Sequence, residues 1–501
     1  MKKNIIEIRA SLIIVYFERI NDYQDEINKI QKYLSIWDEV CFKYTNFACF
    51  IHEKKEGNYL IVPRGMGTLY LTKLFPTFEV IDKRFHHFYK PRNTDFNLKF
   101  PPKNPEQEDV IAFLKNQGQY GNLDCNQKLI ALDTGKGKTY CTINYLKFKQ
   151  EVAMIIVHQL TIIDQWKRRE FLRLTDMTEK NICVIKDSNH LAKLVEKPSN
   201  HYIYLVTHKT LVSYANDDLL KLSNVMKALR IGIKVYDEAH KEIRSILKID
   251  CHTNVPETIY LTATPNRSDF KEDKVYGTVF QYVTKYFDKG EAESYHKIVY
   301  VQINTNPNEI QENFVEKSNK YGFNLANWCS YIKTNRDKYK YFKKVLMHLL
   351  HMAYKGKNQP KKLAIIVGTL ALAEDLTSYF RKKFPEKKVV DFTTNNTKKV
   401  RNEIIANKDY EIMVTTEKSF SNALNVMDLE CIICTASFGS QITTRQLTGR
   451  LRNSTESRFS VYIDITDYGF TSCCKQLASR KKVLNERAKK VYKMDLTNLS
   501  K

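Results

Sequence analysis

The stretch that most constrains the fold lies at residues 129–139. There an apolar run, Leu129-Ile130-Ala131-Leu132, gives way to Asp133-Thr134-Gly135-Lys136-Gly137-Lys138-Thr139 and then to a helical pattern. A short β-rich run, a glycine turn and a helix make a βα unit, and its strand is buried only if parallel neighbours flank it. The sequence supplies those neighbours. Apolar runs at 154–157, 203–206, 231–236 and 259–261 are separated by amphipathic helical segments, and a second series follows at 363–367, 389–392, 412–415, 431–434 and 461–465. Continuous apolar runs mean strands covered on both faces. The expected fold is α/β, with two tandem parallel-sheet domains and a small α+β N-terminal domain.

The glycine turn carries its own chemistry. Gly135 and Gly137 free the backbone to wrap a phosphate with N–H groups pointing inward, and Thr134 and Lys136 line the same loop. Lys138 would neutralise β- and γ-phosphates, and Thr139 would offer a hydroxyl to Mg²⁺. Leu132 stands where the general GxxxxGKT pattern has its first glycine. About a hundred residues on comes Val235-Tyr236-Asp237-Glu238-Ala239-His240. Carboxylates at the C-terminal end of a strand sit on the edge where α/β sheets bind ligands. Asp237 would hold Mg²⁺ through its water shell, and Glu238 would polarise an attacking water.

In order and spacing these motifs resemble those of superfamily 2 helicases of the DEAH type, over most of residues 98–470. The resemblance implies two RecA-like domains, with ATP and Mg²⁺ in the cleft between them and nucleic acid crossing the opposite edge. His158 and Gln159, with Gln165-Trp166 after them, resemble motif Ia, and Thr207 and His208 motif Ib. Thr369 fits motif IV, and Thr415 and Thr416, with Ala423-Leu424-Asn425, resemble motif V. All of these are nucleic-acid-contacting motifs in the family. Thr262 and Thr264 resemble motif III, which couples hydrolysis to strand movement, and Gln446 would share that task. Gly449-Arg450-Leu451-Arg452 resembles motif VI, the source of arginine fingers, and His240 completes the DEAH box among the catalytic residues. Gln107, after Pro105-Glu106, matches the glutamine that reads adenine. Two departures stand out. Asn425 replaces the usual motif V aspartate, and the arginine spacing of motif VI is one residue short, which leaves open whether Arg450 or Arg452 reaches the γ-phosphate.

Within the superfamily the chain looks like the viral and phage group of UvsW-like branch-migration helicases, poxviral transcript-release helicases and their XPB-like relatives. That implies a nucleic-acid-stimulated ATPase and helicase or translocase. Its partner would be branched, duplex or single-stranded DNA. The alternatives are a transcript-release factor acting on a transcription complex, an RNA helicase, and a weakly catalytic nucleic-acid-binding subunit. The formal charge of +24 suits a polyanionic partner.

The domain plan places an accessory domain at 1–97, the ATP-binding domain at 98–285, a polar connecting segment at 286–345 and the second domain at 346–501, ending in a basic helix with Leu477, Leu484, Ala488 and Val491 on one face. In the first of these, residues 5–17 read as one strand. Tyr23, Ile27, Ile30, Leu34 and Trp37 recur at helical spacing behind Asn21 as N-cap. Lys83, Arg84, Lys90 and Arg92, interleaved with Phe85, His86, His87, Phe88 and Tyr89, form a stretch suited to phosphates and bases. Eleven cysteines without regular spacing point to reduced thiols inside a cell, and Cys431 and Cys434 read as part of a buried strand, not a metal site. Charges at Glu7, Arg9, Glu18 and Arg19 interrupt the N-terminal apolar run, so neither a signal peptide nor a membrane span is expected. The expected location is intracellular, in host cytoplasm or virion for a viral source, and not secreted.

Overall fold

The computed structural model describes residues 4–38, 43–46, 50–54, 57–86, 89–121, 126–132, 136–216, 218, 220–262, 277–287, 296–317, 323–355, 359–407, 409–421, 429–451 and 460–499. The chain forms two compact units, Met1–Asp288 and Lys289–Lys501.

The first unit opens with β1 (Ile5–Ile8), β2 (Leu12–Phe17), β3 (Ser35–Asp38), β4 (Lys43–Asn46), β5 (Phe50–Lys54), β6 (Gly57–Pro63) and β7 (Glu79–Asp82). Five of these form a sheet in the order β5-β6-β2-β1-β7, with only β1 and β7 parallel; β3 pairs with β4. The stretch expected as one strand over 5–17 is a hairpin, because Arg9-Ala10-Ser11 turns and the Arg9 amide donates to the Leu12 carbonyl at 2.9 Å. The following helix, Gln24–Tyr33, buries Ile27 and Ile30 but starts after Tyr23, so Asn21 is not its N-cap. Trp37 lies beyond it, on β3.

This sheet does not stand apart as the plan for 1–97 expects. Ile6, Val15 and Leu60 share one continuous core with Leu129, Tyr236 and Val279. At Gly65 an added Cβ would lie 2.0 Å from the Val279 carbonyl oxygen, so only glycine allows that approach. Arg92 ties the segment down by donating to the Ser199 carbonyl at 3.0 Å and to Asn200 Oδ1 at 2.8 Å.

The first α/β sheet comprises β8 (Gln127–Ala131), β9 (Ala153–Val157), β10 (Ile182–Val184), β11 (Ile203–Thr207), β12 (Ile233–Tyr236), β13 (Glu257–Thr262) and β14 (Thr284–Phe287), in the order β10-β11-β9-β12-β13-β8-β14. Every pairing among them is parallel. All strand C-termini therefore share one edge, and the order places the ends of β12, β13 and β8 side by side on it.

The second unit repeats the plan with β15 (His296–Ile303), β16 (Leu363–Val367), β17 (Val389–Asp391), β18 (Ile412–Thr416), β19 (Cys431–Cys434), β20 (Ser460–Asp467) and β21 (Ala488–Asp495), in the order β17-β18-β16-β19-β20-β15-β21, again all parallel. Two expectations are corrected here. The segment 286–345 is not merely connecting: β15 enters the sheet between β20 and the edge strand β21, and Trp328, Tyr331 and Phe342 from the helices Leu325–Thr334 and Arg336–Ala353 lie in its core. The terminal helix ends at Glu486, and Ala488 and Val491 lie on β21, paired with β15. Cys431 and Cys434 are buried in β19, and the described cysteines are free thiols. No described helix is long and apolar enough to cross a membrane.

Candidate functional site

The glycine turn follows β8. Thr134 and Gly135 lie outside the described residues. Gly137 has φ +90° and precedes the helix Lys138–Lys149, which has no side-chain cap. A helix start without a side-chain cap presents backbone N–H groups and the positive end of the helix dipole, the features that bind phosphate. The Lys138 ammonium donates to the Leu132 carbonyl at 2.7 Å, spanning the two ends of the loop, and Thr139 sits half-buried in the first turn.

Helix Pro105–Lys115, capped by Asn104, holds the loop from behind. Gln107 is buried; its Nε2 donates to the Lys136 carbonyl at 3.3 Å and its Oε1 accepts from the Lys103 amide at 2.9 Å. Lys136 pairs with Glu106 at 2.9 Å. A Cβ at Gly137 would come within 2.3 Å of Gln107 Nε2. The glutamine expected to read adenine thus touches the glycine turn itself.

The acidic turn leaves β12 stitched to both neighbours. The Asp237 amide donates to the Ile156 carbonyl at 3.1 Å and the Ala239 amide to the Leu261 carbonyl at 2.8 Å. Glu238 takes φ +52°, a left-handed conformation uncommon for a side chain of this size and one that collects at functional sites. The Trp166 indole donates to Asp237 Oδ2 at 2.8 Å. His240 Nδ1 lies 3.3 Å from Glu238 Oε2 and 3.0 Å from Thr262 Oγ1, which links the ends of β12 and β13.

The electrostatics divide the two carboxyls. Burial, reinforced by the neighbouring Glu238 charge, pushes Asp237 up to about 6 against the pull of Trp166 and Lys138. Burial also pushes Glu238 up, but His240, Lys138, Lys241 and His158 together outweigh it and hold Glu238 below the usual carboxylate range. Lys138 therefore acts on both carboxyls, and the surrounding cations hold Glu238 the lower of the two. Among the residues Gly137, Lys138, Thr139 and Asp237, the donor set and the uncapped helix suit a nucleotide phosphate with a hydrated divalent cation.

The remaining candidates separate by burial. His158 and Gln159 are half-buried at the end of β9, on the same edge, and burial beside Lys241 pushes His158 down to about 4. Thr207 and His208 do not present themselves to a ligand. The Thr207 hydroxyl caps the helix His208–Ala215, and His208 is 2% exposed and stacked on Tyr236 at 5.5 Å. In the second unit the Thr415 hydroxyl is fully buried and donates to the Phe392 carbonyl, and Thr416 accepts from the Ser419 amide. The Thr207, Thr415 and Thr416 side chains serve local folding because strand ends this deep must satisfy their own polar groups, whereas both His208 ring nitrogens are buried without a hydrogen-bond partner. Thr369 is half-buried and caps the helix Leu370–Lys383.

Gln446 is half-buried on the helix Gln441–Thr448. Arg450 is 7% exposed, with its guanidinium 5.3 Å over the Phe420 ring. Thr264, Asn425 and Arg452 lie outside the described residues. In the basic stretch, Lys83 pairs with Glu7 and Arg84 with Asp82, both at 2.7 Å, so with Arg92 most of its charge is engaged within the unit. His87 and Phe88 are outside the described residues.

Sequence reasoning missed two features. Trp166 was grouped with nucleic-acid contacts, yet its indole meets Asp237. Arg480, on the terminal basic helix, is fully buried with Nε and Nη2 each 2.8 Å from the Asp464 carboxylate. The ionisable pair in Ile463-Asp464-Ile465 and Arg480 was the available signal, since a carboxylate inside an apolar strand needs a cation.

A family model described as "Type III restriction enzyme, res subunit" matches residues 101–267, a third of the chain that includes the phosphate loop and the acidic turn. No curated protein matches the chain. Among solved structures, UvsW of T4 is similar at 13% identity, covering 98% of this chain and 100% of that one with a TM-score of 0.36. The Hef helicase domain of Pyrococcus furiosus matches at 14% identity, 75% and 97% coverage and a TM-score of 0.46. A DEAD box protein from Methanococcus jannaschii matches at 16% identity, 77% and 92% coverage and a TM-score of 0.43. At these values the likeness is distant, and the two parallel-sheet units stand on their own strand order and register.

Proposed function

We propose that the chain is a nucleic-acid-stimulated ATPase of the superfamily 2 helicase type, working as a helicase or translocase on DNA. The observation that carries the reading is the meeting of one lysine and two carboxyls on one sheet edge: Lys138 at an uncapped helix start acts electrostatically on both Asp237 and Glu238. The match of the restriction res-subunit family over 101–267 supports a motor core of this kind.

Each residue then has a role. The helix start and Lys138 bind the β- and γ-phosphates, and Gln107 and Gly137 keep the loop in shape. A hydrated Mg²⁺, held by Thr139 and Asp237, supplies charge neutralisation of the phosphates when bound. Glu238, kept ionised by His240 and Lys138, orients the attacking water and accepts its proton. By the motif VI resemblance, Arg450 ahead of Arg452 would supply charge to the transition state. The surplus of basic residues suits a polyanionic track, and branched DNA or R-loops are the substrate class that the motif resemblance favours.

Two variants test these roles together. Lys138→Ala should weaken ATP binding, because the ammonium meets phosphate in the ground state. Glu238→Gln should spare binding and cut turnover by about 10²–10³. Equal loss of ATP affinity in both would contradict the assignment.

A further inference from the structure

A donor from a distant part of the chain meets the Asp237 carboxylate: the Trp166 indole N–H, 2.8 Å from Oδ2 and seventy-one residues away in sequence. Trp166 is 1% exposed and packs against Phe171, with ring centroids 5.7 Å apart. It sits in a π-helical stretch, Gln165–Phe171, that continues the helix Leu160–Asp164 after β9. Wide π turns are uncommon and collect at functional sites. Here the wide turn directs the indole at the acidic turn. The same segment touches that turn again at its start, where His158 Nε2 lies 3.3 Å from Lys241 Nζ.

The chemistry of the donor matters. An indole N–H is neutral and can only donate, so it binds a carboxylate without competing for a cation. The terminal torsion of an aspartate is broad, and an unrestrained carboxylate rotates. A donor held in a packed, buried ring restrains that rotation. Partners behind a metal-binding carboxylate orient it, and their loss costs about 10–100-fold in metal affinity or activity.

We propose that Trp166 is a positioning residue for Asp237, its indole N–H locking the carboxylate in the orientation that meets the hydrated Mg²⁺ of the bound nucleotide. This assigns to the segment after β9 a task at the nucleotide, beside any contact it makes with nucleic acid. It rests on the ATPase reading above.

The test is calorimetric binding of ADP to the full chain, in EDTA and in millimolar Mg²⁺, for four proteins: wild type, Trp166→Phe, Asp237→Asn and the double variant. Wild type should bind ADP more tightly with Mg²⁺. Trp166→Phe, which keeps an aromatic ring and removes the donor, should keep the EDTA affinity and lose about 10–100-fold of the Mg²⁺-dependent gain. In the Asp237→Asn background it should cost nothing further. A full Mg²⁺ gain in Trp166→Phe overturns the proposal and leaves the ATPase reading intact, as does an equal loss in EDTA or an equal loss in both backgrounds. Absence of ADP binding in wild type overturns the ATPase reading itself, and this proposal with it. Should Trp166→Phe not fold, indole ¹⁵N-labelled wild-type protein serves instead. One indole signal should move both on Asp237→Asn substitution and on addition of Mg²⁺ and ADP, and a spectrum unmoved by either change overturns the proposal.

Discussion

Gly137→Ala is the perturbation whose cost follows most directly from the geometry. The residue has φ +90°, a conformation that costs a side chain about 1–2 kcal/mol. Its new Cβ would also lie 2.3 Å from Gln107 Nε2, too close to be tolerated. Gln107 must withdraw, giving up its bonds to the Lys136 carbonyl and the Lys103 amide, worth about 1 kcal/mol each. The expected loss is about 3–4 kcal/mol. Gln107→Ala alone should cost about 2 kcal/mol by losing the same two bonds. The double variant loses those bonds only once, so it should cost about as much as Gly137→Ala alone, a coupling of about 2 kcal/mol. Denaturant unfolding of the four proteins measures this, followed at a probe within the first unit. Additive losses would refute the reasoning, because they would mean that the glycine and the glutamine do not share the contact.

Other consequences can be checked separately. Burial pushes His208 down to about 3, so it folds neutral, while in the unfolded chain it titrates near 6.5. Its stabilising share is complete above pH 6.5 and is lost as the pH falls towards 3. Between pH 7 and 5 that is about 2 kcal/mol, and His208→Phe, which preserves the stack on Tyr236, should flatten stability over that interval in pH-dependent unfolding. Arg480→Met strands the Asp464 carboxylate in the core and should cost about 3–5 kcal/mol in unfolding experiments, whereas an exposed arginine would cost little. Arg450→Lys, at unchanged ATP affinity, should lower turnover by about 10³–10⁵ if the finger is correctly assigned, and wild-type turnover would move that role to Arg452. Binding to single-stranded DNA should weaken with salt with a slope of about −0.7 per phosphate contact, and a flat salt titration would argue against a phosphate track.

The parallel-sheet plan and the placing of Lys138, Asp237 and Glu238 at strand ends of one sheet were legible because their signals are local. Leu129 to Thr139 encodes strand, turn and helix in eleven consecutive residues, and Asp237-Glu238 follows an apolar strand directly. What was hidden depends on partners distant in sequence. β15, with the sequence HKIVYVQI, lies within the polar stretch 286–345 and reads with it as a connection, yet β20 and β21 enclose it. β21 reads as the end of a helix because Leu484, Ala488 and Val491 keep helical spacing, and only pairing with β15 turns it into a strand. Lys234 is a lysine inside the apolar 231–236 run. It is fully buried and bonds to Asp250 at 2.5 Å and Thr253 at 2.7 Å, partners sixteen and nineteen residues away. In the site, Thr207 and Thr415 carried the right residue type for a ligand contact, but their depth at the strand ends commits both hydroxyls to the protein's own backbone.

The most direct test of the central claim is the ATP hydrolysis rate of the full chain, measured alone and with single-stranded DNA, duplex DNA, a forked duplex and RNA, beside Glu238→Gln. The account predicts hydrolysis that rises on DNA, most strongly on the fork, and that Glu238→Gln abolishes on every substrate while still binding ATP. A rate indifferent to every nucleic acid, or one that survives in Glu238→Gln, would contradict it.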